Sequence, residues 1–320
     1  YNLRPPMIVT TDHRISSALT GYDLLLRNKH LDSHLAGEAS KTVLFVHGAT
    51  YGATDTFDYA INGQSWMDLM AEQGFDTWCL DLLGYGQSDR PSAMDEAPTN
   101  HPPLVDTAHA VLEVGNAVTH ILHSRDIQRL NLIGYSWGTA ICGSYAGQHP
   151  DKVDRLVLSG ALWIEGLAPT GKPASSLGAY RTVTVEAMMS RWATGLDTQE
   201  IDNIVSEPER QRWCQHTANC DPRFSETGLL RAPTGVMKDY SQCRESSTDW
   251  YDPSLIRSPV LIIVGDLDIE TTPAQGQRLF ERLTHAQTKQ ITVIGQGTHS
   301  LLLEKHRHQL HAGVSNFLQG

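Results

Sequence analysis

The sequence predicts an α/β fold, in which a mostly parallel, doubly wound sheet carries an inserted, mainly helical cap. Strand-like apolar runs alternate with helix-like segments along most of the chain, and this alternation is typical of a parallel sheet with helices on both faces. The alternation stops between residue 160 and Val260. We therefore expect core residues 1–161 and 257–320 to flank a cap at residues 162–256.

Each element is predicted by its local pattern. Short apolar, β-branched runs predict strands, and they lie at 7–17, 22–28, 42–46, 77–82, 129–133, 155–160, 259–265 and 290–294. The first two are expected to form an antiparallel pair. Helical spacing predicts helices at 65–73, 103–124 and 301–318 in the core and at 180–193, 207–216 and 227–240 in the cap.

Composition restricts the classes of ligand. The chain has 320 residues, 40% of them hydrophobic, and a formal net charge of −11. Nucleic acid and anionic lipid both require a basic face, so neither is an expected partner. No apolar run approaches the roughly 18 residues that a membrane span needs. We expect a cytoplasmic protein whose partner is a small molecule.

The five cysteines predict neither a metal site nor a disulfide framework. Cys79 and Cys142 lie in predicted core segments, which is typical of buried thiols. Cys214 and Cys220 are close enough in sequence to form a disulfide, but a chain of this length does not need one, and we expect them to be free. The histidines near the C-terminus fall on a predicted amphipathic helix, so we expect no metal and no cofactor.

Gly134-Tyr135-Ser136-Trp137-Gly138 is the most informative stretch of the sequence. An apolar strand run precedes it and a small-residue helical run follows it, which is the setting of a nucleophilic serine on a sharp strand-to-helix turn. The glycines two positions either side allow strand and helix to approach closely. Ser136 is therefore the candidate nucleophile.

A serine hydroxyl needs a base and an orienting acid to act as a nucleophile. His299 ends a glycine-punctuated loop after the strand at 290–294 and is the candidate base. Asp266 and Asp268 both follow the strand at 259–265, and Asp268 is favoured as the acid because it is far enough out to turn back toward the histidine. These positions follow parallel strands at the edge where such sheets bind ligands.

Backbone amides of two residues are the expected oxyanion donors. Trp137 follows the serine directly, and Ala49 lies in the loop after the strand at 42–46. The negative oxygen of a tetrahedral intermediate requires such preorganised N–H groups. We expect His47, in the same loop, to brace the loop rather than to take part in chemistry.

Across nearly its whole length the chain resembles the α/β-hydrolase-fold serine hydrolases. His47-Gly48, the stretch from Asp81 to Pro91, the Ser136 turn, the acid loop and the histidine loop occur in the order of that family. The resemblance implies a Ser-His-Asp triad and a cap, and the G-x-x-D-x-x-x-x-P pattern supports Asp268. The loop after His47 departs from the H-G-G-P-G pattern of proline iminopeptidases, which argues against an aminopeptidase.

These observations predict a serine hydrolase that cleaves a carboxylic ester or similar small acyl substrate through an acyl-enzyme. Carbon–carbon bond hydrolysis, lactone hydrolysis and acyl transfer use the same residues and stay open as alternatives. A ligand-sensing member of the fold is the alternative from another class. Apolar cap residues are candidates for the substrate pocket, namely Trp163, Met188, Met189, Trp192 and Trp213.

Overall fold

The computed structural model describes residues 7–33, 38–163 and 177–320. Its main sheet has eight strands in the order β1-β2-β4-β3-β5-β6-β9-β10. All neighbours from β4 to β10 in this order pair in parallel, whereas β1, β2 and β4 pair antiparallel. The strands are β1 Ile8–Ser16, β2 Asp23–Leu31, β3 Thr42–Val46, β4 Asp76–Leu80, β5 Leu130–Tyr135, β6 Val153–Ser159, β9 Val260–Gly265 and β10 Lys289–Ile294.

Helices cover both faces of this sheet, as the alternating pattern predicts. The core helices are α1 Ala53–Phe57, α2 Trp66–Glu72, α3 Thr107–Arg125, α4 Trp137–Gln148, α10 Pro273–Arg282 and α11 Arg307–Gln319. Two apolar clusters form the core, one on each face of the sheet. The parallel strands β3, β5 and β9 are buried along their whole length, which explains why they read as continuous apolar runs.

The segment between β6 and β9 contains a short antiparallel hairpin as well as helices. Its helices are α5 Val185–Trp192, α6 Thr198–Ile204, α7 Glu207–Ala218, α8 Phe224–Thr227 and α9 Gly235–Ser246. Strands β7 Tyr180–Val183 and β8 Leu230–Pro233 pair with each other. The helices predicted over 180–193 and 227–240 were therefore wrong at these strands. The cap helices that follow the two strands begin at Val185 and Gly235.

The C-terminal helix also begins later than predicted. Leu301–Leu303 forms a 3-10 turn and α11 starts only at Arg307. All three leucines are buried, and three consecutive buried positions do not fit the single apolar face of a surface helix. In the described part of the chain no helix is long and apolar enough to span a bilayer, and all five cysteines are free thiols.

The start of α4 lies directly against β3. A Cβ atom placed on Gly138 would be 2.2 Å from the carbonyl oxygen of Val46 and 2.7 Å from that of His47. A Cβ on Gly134 would be 2.4 Å from the carbonyl oxygen of Gly138. Real side chains do not tolerate such approaches to backbone atoms, so glycine at both positions lets strand, turn and helix pack together.

We expect Gly138→Ala to lower the free energy of unfolding by at least about 1–3 kcal/mol, because the backbone of β3 cannot move away from the added methyl group. Gly115→Ala is the matched control. Gly115 lies inside α3, where the nearest atom to an added Cβ is 3.6 Å away, and alanine there should stabilise by about 0.5–1 kcal/mol. Urea unfolding of both variants measures the difference, and equal effects would contradict the packing argument.

Candidate active site

Ser136 lies between β5 and α4 with a backbone conformation that non-glycine residues rarely adopt. Its φ is 55° and its ψ is −121°. Its N–H donates to the carbonyl oxygen of Ser159 on the neighbouring strand, which holds the strained turn to the sheet. Residues kept in sparsely populated conformations persist only where the surrounding structure determines them. Here the glycine contacts of the turn supply that determination.

The hydroxyl of Ser136 is connected to a histidine and an aspartate. The distance from Ser136 Oγ to His299 Nε2 is 3.0 Å, and the distance from His299 Nδ1 to Asp268 Oδ2 is 2.8 Å. These distances are within the range for nucleophile, base and orienting acid. The three residues follow β5, β10 and β9, so the parallel register brings them to one edge of the sheet.

Asp268 is held by its own loop. Its Oδ1 accepts hydrogen bonds from the N–H groups of Glu270 at 2.9 Å and Thr271 at 2.8 Å, and its Oδ2 accepts from Thr271 Oγ1 at 2.7 Å. Asp266 instead accepts a hydrogen bond from the N–H of Gly297 at 3.3 Å. Of the two aspartates considered from the sequence, Asp268 is thus the one on the His299 ring, and Asp266 bonds to loop backbone.

The pKa of His299 is raised above its usual value of 6.5. Burial alone would lower it, but the negative charges of Asp268 and Glu270 and the hydrogen bond to Asp268 outweigh the burial. Glu270 Oε2 lies 3.8 Å from His299 Nε2. The imidazole therefore loses its proton at higher pH than an unperturbed histidine does.

Two backbone amides adjoin the serine without an acceptor. The N–H groups of Ala49 and Trp137 donate no hydrogen bond to any residue within 7–33, 38–163 or 177–320. Trp137 is the first residue of α4, where backbone N–H groups have no partner inside the helix. The loop carrying Ala49 also touches the serine, since a Cβ on Gly48 would be 3.0 Å from Ser136 Cβ.

His47 is fully buried beneath this loop. Its Nδ1 lies 2.7 Å from the carbonyl oxygen of Gly48, and its Nε2 lies 3.1 Å from the N–H of Leu82. The first contact needs a proton on Nδ1 and the second needs a lone pair on Nε2, so the ring is neutral. Burial lowers its pKa accordingly. The ring connects the loop to the chain after β4, which is a bracing role.

Sequence reasoning missed three charged residues at the site. Arg191 of α5 donates to both carboxylate oxygens of Glu270, with Nε to Oε1 at 2.8 Å. Its Nη1 also donates to Thr50 Oγ1 at 3.2 Å. Arg181 of β7 donates to Thr50 Oγ1 at 2.5 Å and to the carbonyl oxygen of Ala49 at 3.3 Å. No motif spacing marks these residues, because they come from separate segments.

The pKa of Glu270 is held low by its surroundings. Burial alone would raise it, but the charges of His299 and Arg191 and the hydrogen bond from Arg191 lower it to about 2. Glu270 is therefore ionised across the range in which His299 titrates. A fixed negative charge beside a titrating imidazole favours the imidazolium.

Two cavities open onto Ser136. The smaller has a volume of about 40 Å³ and the larger about 740 Å³. Three of the cap residues expected in the pocket line the smaller cavity: Met188, Trp192 and Trp213. The other two, Trp163 and Met189, line neither.

The placement of Trp163 and Met189 corrects the sequence expectation. Trp163 is fully buried in the apolar cluster on one face of the sheet, where its ring meets that of Tyr251. Met189 packs against the cluster on the other face. Both residues therefore contribute to packing. The sequence could not show this, because the spacing of apolar residues does not distinguish a side chain that faces the pocket from one that faces the core.

Comparison with known proteins identifies the family. Residues 41–306 match the family model described as the alpha/beta hydrolase fold. This match covers most of the chain, and the protein belongs to that family of hydrolases. Within the described residues, no group of three or more His, Cys, Asp or Glu side chains is arranged to hold a metal ion.

Particular relatives match shorter stretches. An uncharacterised protein of Mycobacterium bovis is 28% identical over 162 residues, which cover 50% of this chain and 38% of that protein. The 2-hydroxy-6-oxononadienedioate/2-hydroxy-6-oxononatrienedioate hydrolase of Paraburkholderia xenovorans is 27% identical over 125 residues, covering 39% of this chain and 37% of its own. The chain thus spans less than half the length of these relatives.

A solved structure extends the likeness in fold to nearly the whole chain. The meta-cleavage product hydrolase of Pseudomonas fluorescens has a TM-score of 0.61 and 17% sequence identity, and the match covers 96% of this chain and 97% of that one. Such low identity shows a shared fold.

We expect Glu270→Gln to lower the pKa of His299. The substitution removes a negative charge near Nε2 and leaves the positive charge of Arg191 unpaired, and both changes disfavour the imidazolium. NMR titration of the ring, assigned with a His299→Gln variant, measures the shift. Glu281→Gln, at an exposed position of α10, is the control, and a His299 pKa equally displaced in both variants would contradict a local effect of Glu270.

Proposed function

We propose that this hydrolase cleaves a carboxylic ester, or a similar small acyl substrate, with Ser136, His299 and Asp268 as its catalytic triad. The observation that carries the proposal is the continuous hydrogen-bonded path from Ser136 Oγ through the His299 ring to Asp268. The larger cavity at Ser136 provides room for a small organic substrate.

In the first half of the reaction, Ser136 Oγ attacks the substrate carbonyl carbon while its proton moves to His299 Nε2. Asp268 keeps the Nδ1 proton in place and stabilises the imidazolium that forms. The carbonyl oxygen becomes negative and accepts hydrogen bonds from the N–H groups of Trp137 and Ala49, which have no other acceptor in the described structure. The leaving group then takes the proton from Nε2, and an acyl-enzyme remains.

In the second half, water attacks the acyl carbon and gives its proton to His299. The tetrahedral intermediate collapses, the carboxylic acid leaves and Ser136 regains its proton. In both halves the N–H groups of Trp137 and Ala49 would stabilise the negative oxygen, and one such oxyanion donor typically lowers the barrier by about 2.7–4 kcal/mol. The reaction requires neutral His299 at each attack, so the rate should increase with pH through a midpoint above 6.5, in accord with the raised pKa of this ring.

A second candidate is the hydrolysis of a carbon–carbon bond next to a ketone with the same residues. Its support is the relative from Paraburkholderia xenovorans, which is named for an oxo dicarboxylate rather than for an ester. The two candidates differ in the leaving atom, which is oxygen in an ester and carbon in the ketone. They share the triad and the amide pair, so only a substrate comparison separates them.

Ser136→Ala should abolish labelling by a fluorophosphonate probe and turnover, while the variant remains folded. No other serine in the chain has glycine at both positions two residues away. Ser144→Ala, on α4 but outside both cavities, is the control and should retain labelling. If Ser136→Ala is still labelled at the wild-type rate, Ser136 is not the nucleophile.

The substrate class is tested with p-nitrophenyl esters of increasing chain length beside lactones, amides and a vinylogous diketone. We expect Ser136-dependent turnover to be fastest with one of the esters, because the acyl carbon and a good leaving oxygen then meet the triad directly. Faster cleavage of the diketone than of every ester would replace the ester proposal with the carbon–carbon one.

Asp268→Asn should lower turnover by up to about 10⁴-fold, because the amide favours the wrong imidazole tautomer while keeping the shape of the side chain. Asp266→Asn is the matched control, and it should act mainly on stability because Asp266 bonds to the backbone of Gly297. Steady-state kinetics and melting curves of both variants decide the assignment. An inactive but fully folded Asp266→Asn enzyme, beside an active Asp268→Asn enzyme, would transfer the acid role to Asp266.

A further inference from the structure

Arg181 presents unused hydrogen-bond donors at the larger cavity. It lies on β7 of the cap and lines this cavity together with Ser136. Both bonds that its guanidinium makes to described residues come from Nη2, which donates to Ala49 and Thr50. A guanidinium has five N–H groups, so those on Nε and Nη1 have no acceptor in the described part of the chain. Arg181 is partly exposed and lines the larger cavity, so a ligand in the cavity can reach its guanidinium.

Arg181 also has no counter-ion within the described residues, where no carboxylate oxygen lies within 4.0 Å of its guanidinium. Glu270 is the carboxylate of this region, but both of its oxygens bind Arg191. Two buried arginines of the cap do have a counter-ion: Arg231 contacts Asp221 at 2.7 Å and Arg210 contacts Asp202 at 3.0 Å. Outside the proposed triad, the site therefore holds two guanidinium groups, those of Arg181 and Arg191, and one carboxylate, that of Glu270.

The missing counter-ion of Arg181 is unusual for an acidic protein. The chain has 36 acidic and 25 basic residues, so carboxylates outnumber the cations that they could pair with. Desolvation and the positive charge of Arg191 both lower the pKa of Arg181, whereas the hydrogen bond to Glu270 raises the pKa of Arg191. A charge that is partly withdrawn from water and has no counter-ion carries a desolvation cost, and an anionic ligand would offset it.

We propose that Arg181 binds an anionic group of the substrate, a carboxylate remote from the bond that is cleaved. The inference rests on the proposed function, since it places the reacting carbon at Ser136 and the remote end in the larger cavity. A monoanion matches the single unpaired positive charge. Other parts of this cavity wall are apolar, with Leu162, Val236 and Met237 among them, and they suit a hydrocarbon spacer between the two groups.

The competing explanation is that Arg181 only holds the loop of Ala49 and Thr50 in place. In that case its loss would disturb the oxyanion donor and slow neutral and anionic substrates by the same factor. Recognition of an anion predicts a selective effect, carried mainly by KM. The ratio between matched anionic and neutral substrates therefore separates the two roles.

The kinetic test uses two pairs of esters, one for each side of the scissile bond. Mono-4-nitrophenyl adipate is compared with 4-nitrophenyl hexanoate, and 4-acetoxybenzoate with its methyl ester. We expect the wild-type enzyme to prefer the anionic member of at least one pair. Arg181→Gln should lower kcat/KM for that member at least about tenfold more than for its neutral partner, as expected for hydrogen bonds to a charged group.

Two further variants control for folding and for overall charge. Arg181→Lys keeps the positive charge and should retain most of the preference. Arg223→Gln removes a positive charge from a partly exposed residue of the cap that lines neither cavity at Ser136, and it should leave the ratio between the paired esters as in the wild type. The absence of a wild-type preference in both pairs would overturn the proposal, as would an equal loss for both members in Arg181→Gln.

A binding experiment keeps this inference separate from the assignment of the nucleophile. In a Ser136→Ala background, calorimetry compares monomethyl adipate, an anion, with neutral dimethyl adipate. We expect the anion to bind more tightly, and adding Arg181→Gln should weaken its binding at least about tenfold more than that of the diester. Equal binding of the two compounds contradicts the anion site. Turnover that persists in Ser136→Ala contradicts the proposed function. The calorimetry still tests the anion site in that case, because it measures binding and not catalysis.

Discussion

The contact between the first turn of α4 and the end of β3 is the constraint on which the site depends. Gly138 approaches the carbonyl oxygens of Val46 and His47 more closely than any other residue type permits. This one contact places Ser136 beside the loop that carries Ala49. The strained φ of Ser136 follows from it, because the chain must turn from β5 into α4 within a single residue. Backbone packing thus positions the proposed nucleophile and the proposed oxyanion donors.

The sequence predicted which three residues the parallel strands bring together at the candidate site. Ser136, Asp268 and His299 each follow a buried or half-buried strand that the apolar runs identify, and the ends of parallel strands meet at one edge of a sheet. Distance along the chain is then irrelevant, since the register of β5, β9 and β10 brings the three side chains together. Asp266 and Asp268 could be ranked as well, because loop length limits which of them can turn back toward His299.

The cap was predicted less well, for physical reasons. Strands β7 and β8 have four residues each, too few for alternation to distinguish them from the first turn of the helices that follow. Arg181, Arg191 and Glu270 meet only because cap and core pack together, and pairwise ion contacts leave no periodic signal in the sequence. Trp163 and Met189 were misassigned because an apolar residue near a site looks the same whether it faces the cavity or the core.

The ion pair between Arg191 and Glu270 connects the cap to the histidine of the core. Glu270 belongs to the same loop as Asp268, so two carboxylates of one loop influence the pKa of His299, from Nδ1 and from near Nε2. Asp268 is satisfied by its own loop, whereas Glu270 is bound by an arginine of α5. Because Arg191 contacts Glu270, its positive charge offsets part of the effect of Glu270 on the pKa of His299. The position of α5 therefore affects the proton affinity of His299 as well as the shape of the cavity. A substrate that fits beneath the cap without separating this pair meets a more readily neutral imidazole than one that displaces Arg191.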